Sequence, residues 1–410
     1  MSSARSVSLD IKYSGKNISK KLAPYITSFT FTDIASGSSD SISLKLMDRD
    51  KKWMGNWFPS KGSKITPKIY AKNWTKDNDN RKVICGTFVL DDLSYSGRPL
   101  TCNVGAVSMP ATEGFQKTKR TKVWKKETVR SIAKTIADRY KLGFSYSANT
   151  ITISSIEQTS RSDSDFLNSL CSSYGLGFKI FANKICIFNE ETYENKNSIA
   201  TIDETDMLDW SYNTTLSGTY TCAKISYTNA KTGKDVTIKV GSGTRIYEVN
   251  EKADNYSDAQ LKAKAALREQ NKNMTTMSVT MMGNPKIYAT ACVNITGLNK
   301  LNGKYYVEQV KHNINSSSGY VMSLSLRYLP SINKKSSSNN SSSGGTSYTI
   351  KKGDTLWMLA KKYYGSGVKY SIIYNANKEI IESTAKKHGK SSSDNGHWIY
   401  PGTKITIPAE

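Results

Sequence analysis

Along residues 1–110, apolar and polar positions alternate with period two in VSLDIKY, SFTFTD, DSISLKLMD, KITPKIYAK, VICGTFVLDDLSYSG and LTCNVGAVS, with Gly, Asn, Asp and Pro between the runs. Successive side chains of a strand point to opposite faces, so the pattern predicts an antiparallel β domain with one buried face. In SISLKLMD that face takes Ile42, Leu44 and Leu46, and the other takes Ser43, Lys45 and Met47. Trp53, Trp57 and Phe58 follow the charged DRDKK turn and are expected to cap the end of this domain by packing.

The period changes over residues 111–205. Val129, Ile132, Ala133, Ile136, Ala137 and Tyr140 recur at helical spacing up to Gly143. A second helix is predicted from Ser164, a candidate cap, to Gly175, with Phe166, Leu167, Leu170, Cys171 and Tyr174 on its apolar face. Both leave through one phrase, YKLGF at 140–144 and YGLGF at 174–178, so helix, turn and strand are used twice in an α+β insert. From 206 to 330 the alternation returns, interrupted by the helix DAQLKAKAALREQNK with Ser257 as its expected N-cap. Residues 331–346, rich in Ser, Asn and Gly, cannot pack a core and read as a flexible tether to a last unit at 347–410.

A chain of 410 residues exceeds one ordinary core and suggests two to four domains. Nothing approaches the roughly 20 consecutive apolar residues of a bilayer span, so no membrane insertion is expected. The first 16 residues lack a secretory apolar run, which predicts a protein that begins in the cytoplasm. The six cysteines lie far apart without a CxxC pair, and the three histidines form no HExxH, so no metal site, cofactor or catalytic constellation is signalled. The cysteines read as mostly buried thiols. Asp91 and Asp92 are the one tempting carboxylate pair in a strand context, but as neighbours they should face opposite ways, in a turn or edge role. The formal charge of +24 points to an anionic partner, whether nucleic acid, wall polymer or acidic protein. Its densest stretch, KTKRTKVWKK at 117–126, reads as a solvated loop or helix approach.

SDSDFLNSLCSSYGLGFKIFANKICIFNE, residues 162–190, resembles the middle of phage late-control D proteins, the hub at the tip of contractile tails. The order β domain, α+β insert, β domain matches as well. The resemblance implies two tube-like antiparallel β-barrel domains per chain, at 1–110 and 206–330, in a mainly β multidomain fold. It also implies a homotrimer that presents six similar domains to the hexameric tail tube protein and joins it to the central spike protein, next to baseplate wedge proteins.

The last unit resembles LysM. YTIKKGDTLW gives a strand with Tyr348 and Ile350 on one face, a turn at Gly353 and a helix capped by Asp354. IIYNANKEII supplies a second helix, and IYPGTKITIP turns at Pro401 and Gly402 into a closing strand, which completes a βααβ order. Residues 382–395 are an insertion relative to the family. The resemblance implies a shallow groove for peptidoglycan built by Gly353, Asp354, Thr355, Asn377, Ile399 and Tyr400, with docking onto neighbouring baseplate subunits as the equal alternative. A tail protein is assembled in the cytoplasm and freed by lysis, so it would meet wall sugar only at the next cell, in a virion or tail-like particle such as a bacteriocin or injection system. Two other classes stay open on the residues: an exported peptidoglycan hydrolase anchored by LysM, and a binder of anionic polymer or nucleic acid.

Overall fold

The computed structural model describes residues 4–108, 114–229, 232–330, 346–364 and 366–407, so the predicted tether, apart from Thr346, lies outside the described residues. The chain divides into two units, Met1–Ser331 and Ile332–Glu410.

The first unit is built on one sheet of fourteen strands. The alternating runs of the first 110 residues form strands including Ser6–Tyr13, Ile26–Ile34, Ser41–Met47, Lys64–Lys72, Phe88–Ser96 and Thr101–Val107. Those after residue 206 form Met207–Thr214, Thr275–Met282, Cys292–Thr296, Gly303–Asn315 and Gly319–Leu329. The two sets are zipped together where Ile26–Ile34 pairs antiparallel with Gly303–Asn315, from Ile34 opposite Gln309 to Ser28 opposite Asn315. The fold is mainly β with an α+β insert, as the periodicity predicts, but its sheet is an open path and not a pair of closed barrels. Each segment satisfies one free strand edge with the other segment.

Two apolar cores lie along this path, one around Phe29, Ile42, Leu44 and Phe88, the other around Val279, Val293, Val307 and Leu324. Aromatic groups stitch the segments together: Trp74 Nε1 donates to the Gly283 carbonyl at 2.6 Å, and buried His312 stacks on Phe31 with 5.6 Å between centroids. His312 Nδ1 lies 2.8 Å from the Tyr320 hydroxyl, and burial pushes its pKa down to about 4, so it is a neutral packing group at physiological pH.

The insert has its own core, with Ile132, Ile136, Phe166, Leu167, Ile180 and Ile185 inside. The repeated phrase has a structural meaning: Gly143–Ser147 pairs in parallel and Leu176–Phe181 antiparallel with the same central strand, Lys184–Asn189. Local details depart from expectation. The helix Asp163–Ser173 is capped by Ser162, whose hydroxyl accepts from Asp165 N at 3.1 Å, because Ser164 already lies inside it. The helix Val129–Arg139 stops before Gly143, with Lys141 at a φ of 53°. KTKRTKVWKK is neither loop nor helix approach: Lys119–Thr128 is a strand paired with Thr152–Ser162, with Trp124 buried and most of its lysines exposed. Asp91 and Asp92 sit at a bulge of Phe88–Ser96 and are both exposed.

The second β segment also holds a small separate sheet, Cys222–Thr228 with Asp235–Gly241 and Ile246–Val249, that packs on the helix Tyr256–Asn271. That helix is capped by Asn255, two residues before Ser257, through Asp258 N at 3.0 Å.

The insert is anchored to both β segments by a buried ion cluster. Lys179 Nζ donates to Asp33 Oδ1 and, at 2.7 Å, to the Ile34 carbonyl, and lies 3.1 Å from Asp40 Oδ1. Asp33 Oδ2 accepts from Ala289 N at 2.8 Å, so the cluster joins all three segments. Around it Gly37 N donates to the Phe178 carbonyl at 3.0 Å and Ser108 Oγ to the Ile180 carbonyl at 3.0 Å. Burial raises the Asp40 carboxyl to about 6, against the pull of Lys179. A second network ties Glu194 to Arg268 at 2.7 Å and to Arg327 at 2.9 Å, and Arg327 to Glu308 at 2.6 Å.

Removing one partner of a buried ion cluster leaves charge uncompensated, so Lys179→Met should destabilise the first unit by about 3–5 kcal/mol in denaturant unfolding; a loss below about 1 kcal/mol would contradict the anchoring role. Asp40 has the opposite sign from a paired surface carboxylate. Its folded pKa lies above the unfolded value of 3.8, so the folded state holds the proton more tightly and this group adds stability as pH falls from about 6 towards 3.8. Asp40→Asn keeps an acceptor for Ile34 N and should flatten that part of the stability-against-pH curve.

Candidate functional site

In the second unit, strand Thr346–Thr349 pairs antiparallel with Lys404–Ile407. Ile350 N donates to the Thr403 carbonyl at 2.9 Å and Gly402 N to the Ile350 carbonyl at 2.8 Å. These bonds bring the loop after the first strand and the loop before the last to the same end of the hairpin. Gly353, Asp354 and Thr355 therefore share one end of the unit with Ile399 and Tyr400. Under them lies a core of Ile350, Leu356, Leu359, Ile373, Ile381 and Ile405.

The roles within the turn are redistributed. Gly353 takes a φ of 92°, which a residue with a Cβ adopts only with strain, and its surroundings are open. The Asp354 carboxylate is not the helix cap: Oδ2 accepts from Lys351 N at 2.8 Å and from the Tyr348 hydroxyl at 2.7 Å, closing the turn onto the strand. Thr355 caps the helix Leu356–Tyr364 instead, with Oγ1 accepting from Met358 N at 3.1 Å. The exposed Gly353 and Thr355 are left on the rim, and Ile399 packs partly against the core.

Asn377 does not join them. It is buried, and its side chain bonds the Ile373 carbonyl at 2.8 Å, the Thr406 carbonyl at 2.6 Å and Thr406 N at 2.8 Å. The segment read as one helix is two, Tyr370–Ala376 and Lys378–Lys387, and Asn377 sits at the break between them. With both ends of its amide engaged by backbone, Asn377 serves the fold rather than a ligand.

The inserted residues extend the last helix to Lys387 and then form a pinned loop. Glu382 accepts from Ser393 N at 3.0 Å, from the Ser393 hydroxyl and from the Tyr374 hydroxyl at 2.7 Å. Ser393 Oγ in turn accepts from Gly396 N at 2.9 Å. These bonds, those from Ser393 first, hold the Glu382 carboxyl down at about 2. The loop presents groups that the motif comparison did not single out: His388 stacks on Tyr400 with 3.9 Å between centroids, and Lys390 Nζ lies 4.1 Å from the Trp398 ring centroid. Their signal in the sequence is the aromatic pair His397 and Trp398 inside an otherwise polar run.

The six cysteines are free, and burial raises the Cys85 and Cys171 thiols far above the range of a nucleophile. Among the described residues no group of three or more His, Cys, Asp or Glu could hold a metal, and no helix is long and apolar enough to cross a membrane.

Residues 114–327 match the family model described as YQBQ-like, and residues 348–384 match the LysM domain. The tail protein from Neisseria meningitidis MC58 superposes with a TM-score of 0.59 at 11% identity, covering 79% of this chain and 97% of that one. The 43 kDa tail protein of prophage MuSo2 from Shewanella oneidensis gives 0.60 at 12% identity, covering 78% and 98%. These likenesses show a shared fold. The uncharacterized protein YqbP of Bacillus subtilis is 45% identical over 62 residues, 15% of this chain, so the match spans only 27% of that relative's length.

Asn377→Ala should lower the stability of the second unit by at least about 1–3 kcal/mol by stranding buried backbone groups, seen as faster amide exchange at Thr406. For Glu382 the folded pKa of about 2 lies below the ordinary unfolded value of 4.5, so its contribution is full above about 4.5 and is lost as pH falls through about 2. Glu382→Gln should remove that acid-dependent step from thermal melts of the second unit.

Proposed function

The chain belongs to the YQBQ-like family, and from that footing we propose that it is a non-enzymatic structural protein of a phage tail or tail-like particle, a hub that joins tail tube to spike as a homotrimer. The observation that carries the reading is the fourteen-stranded sheet, which shares its fold with tail proteins and leaves unfilled edges at both ends of its main path. Among the described residues, Met207–Thr214 pairs on one side only, with Thr275–Met282, and Ser6–Tyr13 pairs along its length with Lys64–Lys72 and on its other side only at Lys12 and Tyr13. An open edge presents a row of unpaired N–H and C=O groups, a template for another chain. Leu208, Trp210 and Leu216 lie exposed on or beside the first of these edges, where assembly would cover them.

On this reading residues 1–110 and 206–330 are the two tube-like parts, 111–205 the insert that braces them, 331–346 the leash and 347–410 the wall-facing LysM module. The particle is assembled in the cytoplasm and released by lysis, and the chain acts at the baseplate among tube, spike and wedge proteins. Gly353, Thr355, Ile399 and Tyr400 line the glycan-facing end of the module, with Asp354 shaping it. Three leashed modules on one trimer would gain avidity for peptidoglycan through their effective concentration.

Light scattering on a fragment ending near Pro330 tests the assembly. A mass of three chains, stable across concentration, is the expected result. A persistent monomer that also fails to bind a tail-tube or spike protein would contradict it.

A further inference from the structure

The pinned loop of the second unit holds an aromatic and cationic surface that the fold itself does not need. Trp398 is 42% exposed, yet its backbone is fixed by a bond from Trp398 N to the Ser393 carbonyl at 2.9 Å. Ser393 is in turn held by Glu382. His397 meets the indole edge-on at 4.8 Å. Lys390 is fixed by a bond from its N to the Ala385 carbonyl at 3.0 Å, and its ammonium stands 4.1 Å from the indole centroid. Lys386, Lys387 and Lys390 are all exposed here, with Asp394 the nearby carboxylate in sequence. Tyr400, two residues past Trp398, is braced by the His388 ring.

An exposed indole on a rigid loop is a platform for the C–H face of a sugar ring, and a lysine beside it favours a negative substituent on that sugar. We propose that Trp398 and Lys390 form a site for an anionic glycan: a pyranose stacked on the indole, with its phosphate or carboxylate at the lysine. The site deepens the glycan reading of the module and rests on it. It extends the rim at Tyr400 outward along the inserted loop, and it gives the insertion a task.

The test is sedimentation of the full chain with three insoluble probes: Gram-positive cell walls, the same walls stripped of phosphate polymer by hydrofluoric acid, and chitin. Trp398→Ala should weaken binding to untreated walls roughly tenfold, as for the loss of one ring contact of about 1.4 kcal/mol. Lys390→Gln should weaken binding to untreated walls and reduce its salt dependence while leaving chitin binding unchanged, and Trp398→Tyr should restore part of the Trp398→Ala loss. Stripping the walls, or competition by soluble poly(glycerol phosphate), lowers binding if phosphate is the substituent. Competition by hyaluronate oligosaccharides, with stripping of no effect, marks a carboxylate. Wild-type affinity of both Trp398→Ala and Lys390→Gln for untreated walls would overturn the site while binding of all three probes kept the parent reading intact. Failure of the wild-type chain to bind any of the three would overturn both.

Discussion

A lysine buried between two carboxylates is costly unless the geometry around it is complete, and in this chain the completion requires three distant segments at once. Lys179 comes from the insert, Asp33 and Asp40 from the first β segment, and the backbone N of Ala289 from the second. Moving any of the three away leaves charge or backbone polarity stranded in an apolar setting. Replacing such a cluster with apolar side chains can match its stability, so its distinctive contribution is to specify one arrangement. The insert, which has a core of its own, is thereby held in one place on the sheet.

The sheet follows the same logic at larger scale. Neither β segment closes on itself; each has strand edges, and one edge of each is spent on the pairing of Ile26–Ile34 with Gly303–Asn315. That pairing turns two domains' worth of strands into one surface, with Met207–Thr214 and Ser6–Tyr13 near the ends of its main path. His312 is neutral between Phe31 and Tyr320, and burial holds the Cys85 and Cys171 thiols protonated.

Much of the fold was legible because it rests on local periodicity. Period two marked the strands, and helical spacing marked Val129–Arg139 and Asp163–Ser173 with the correct inward residues. What could not be read was whatever depends on partners far away in sequence. Nothing local to Ile26–Ile34 says that its second neighbour lies some 280 residues on, and nothing local to Lys179 announces two aspartates. Caps were misplaced by two residues at Ser164 and Ser257, since several Ser, Asn and Asp side chains in succession offer equivalent acceptors and only the backbone chooses. At the candidate site the turn chemistry of Gly353 was readable, but the duties of Asp354 and Thr355 were exchanged. Asn377 was drawn into the groove because its amide looks like a ligand contact until Thr406 is seen to occupy it.

Native-state hydrogen exchange measures directly whether the two β segments and the insert open as one cooperative body. The slowest amides of the pairing at Gln309–Asn315, of Phe178–Ile180 and of Ile34 should exchange with one common opening free energy, and that energy should respond together to denaturant. A markedly lower opening energy confined to residues 114–194, with the sheet amides still protected, would show the insert to be an independent domain merely resting on the sheet, and would contradict that common opening.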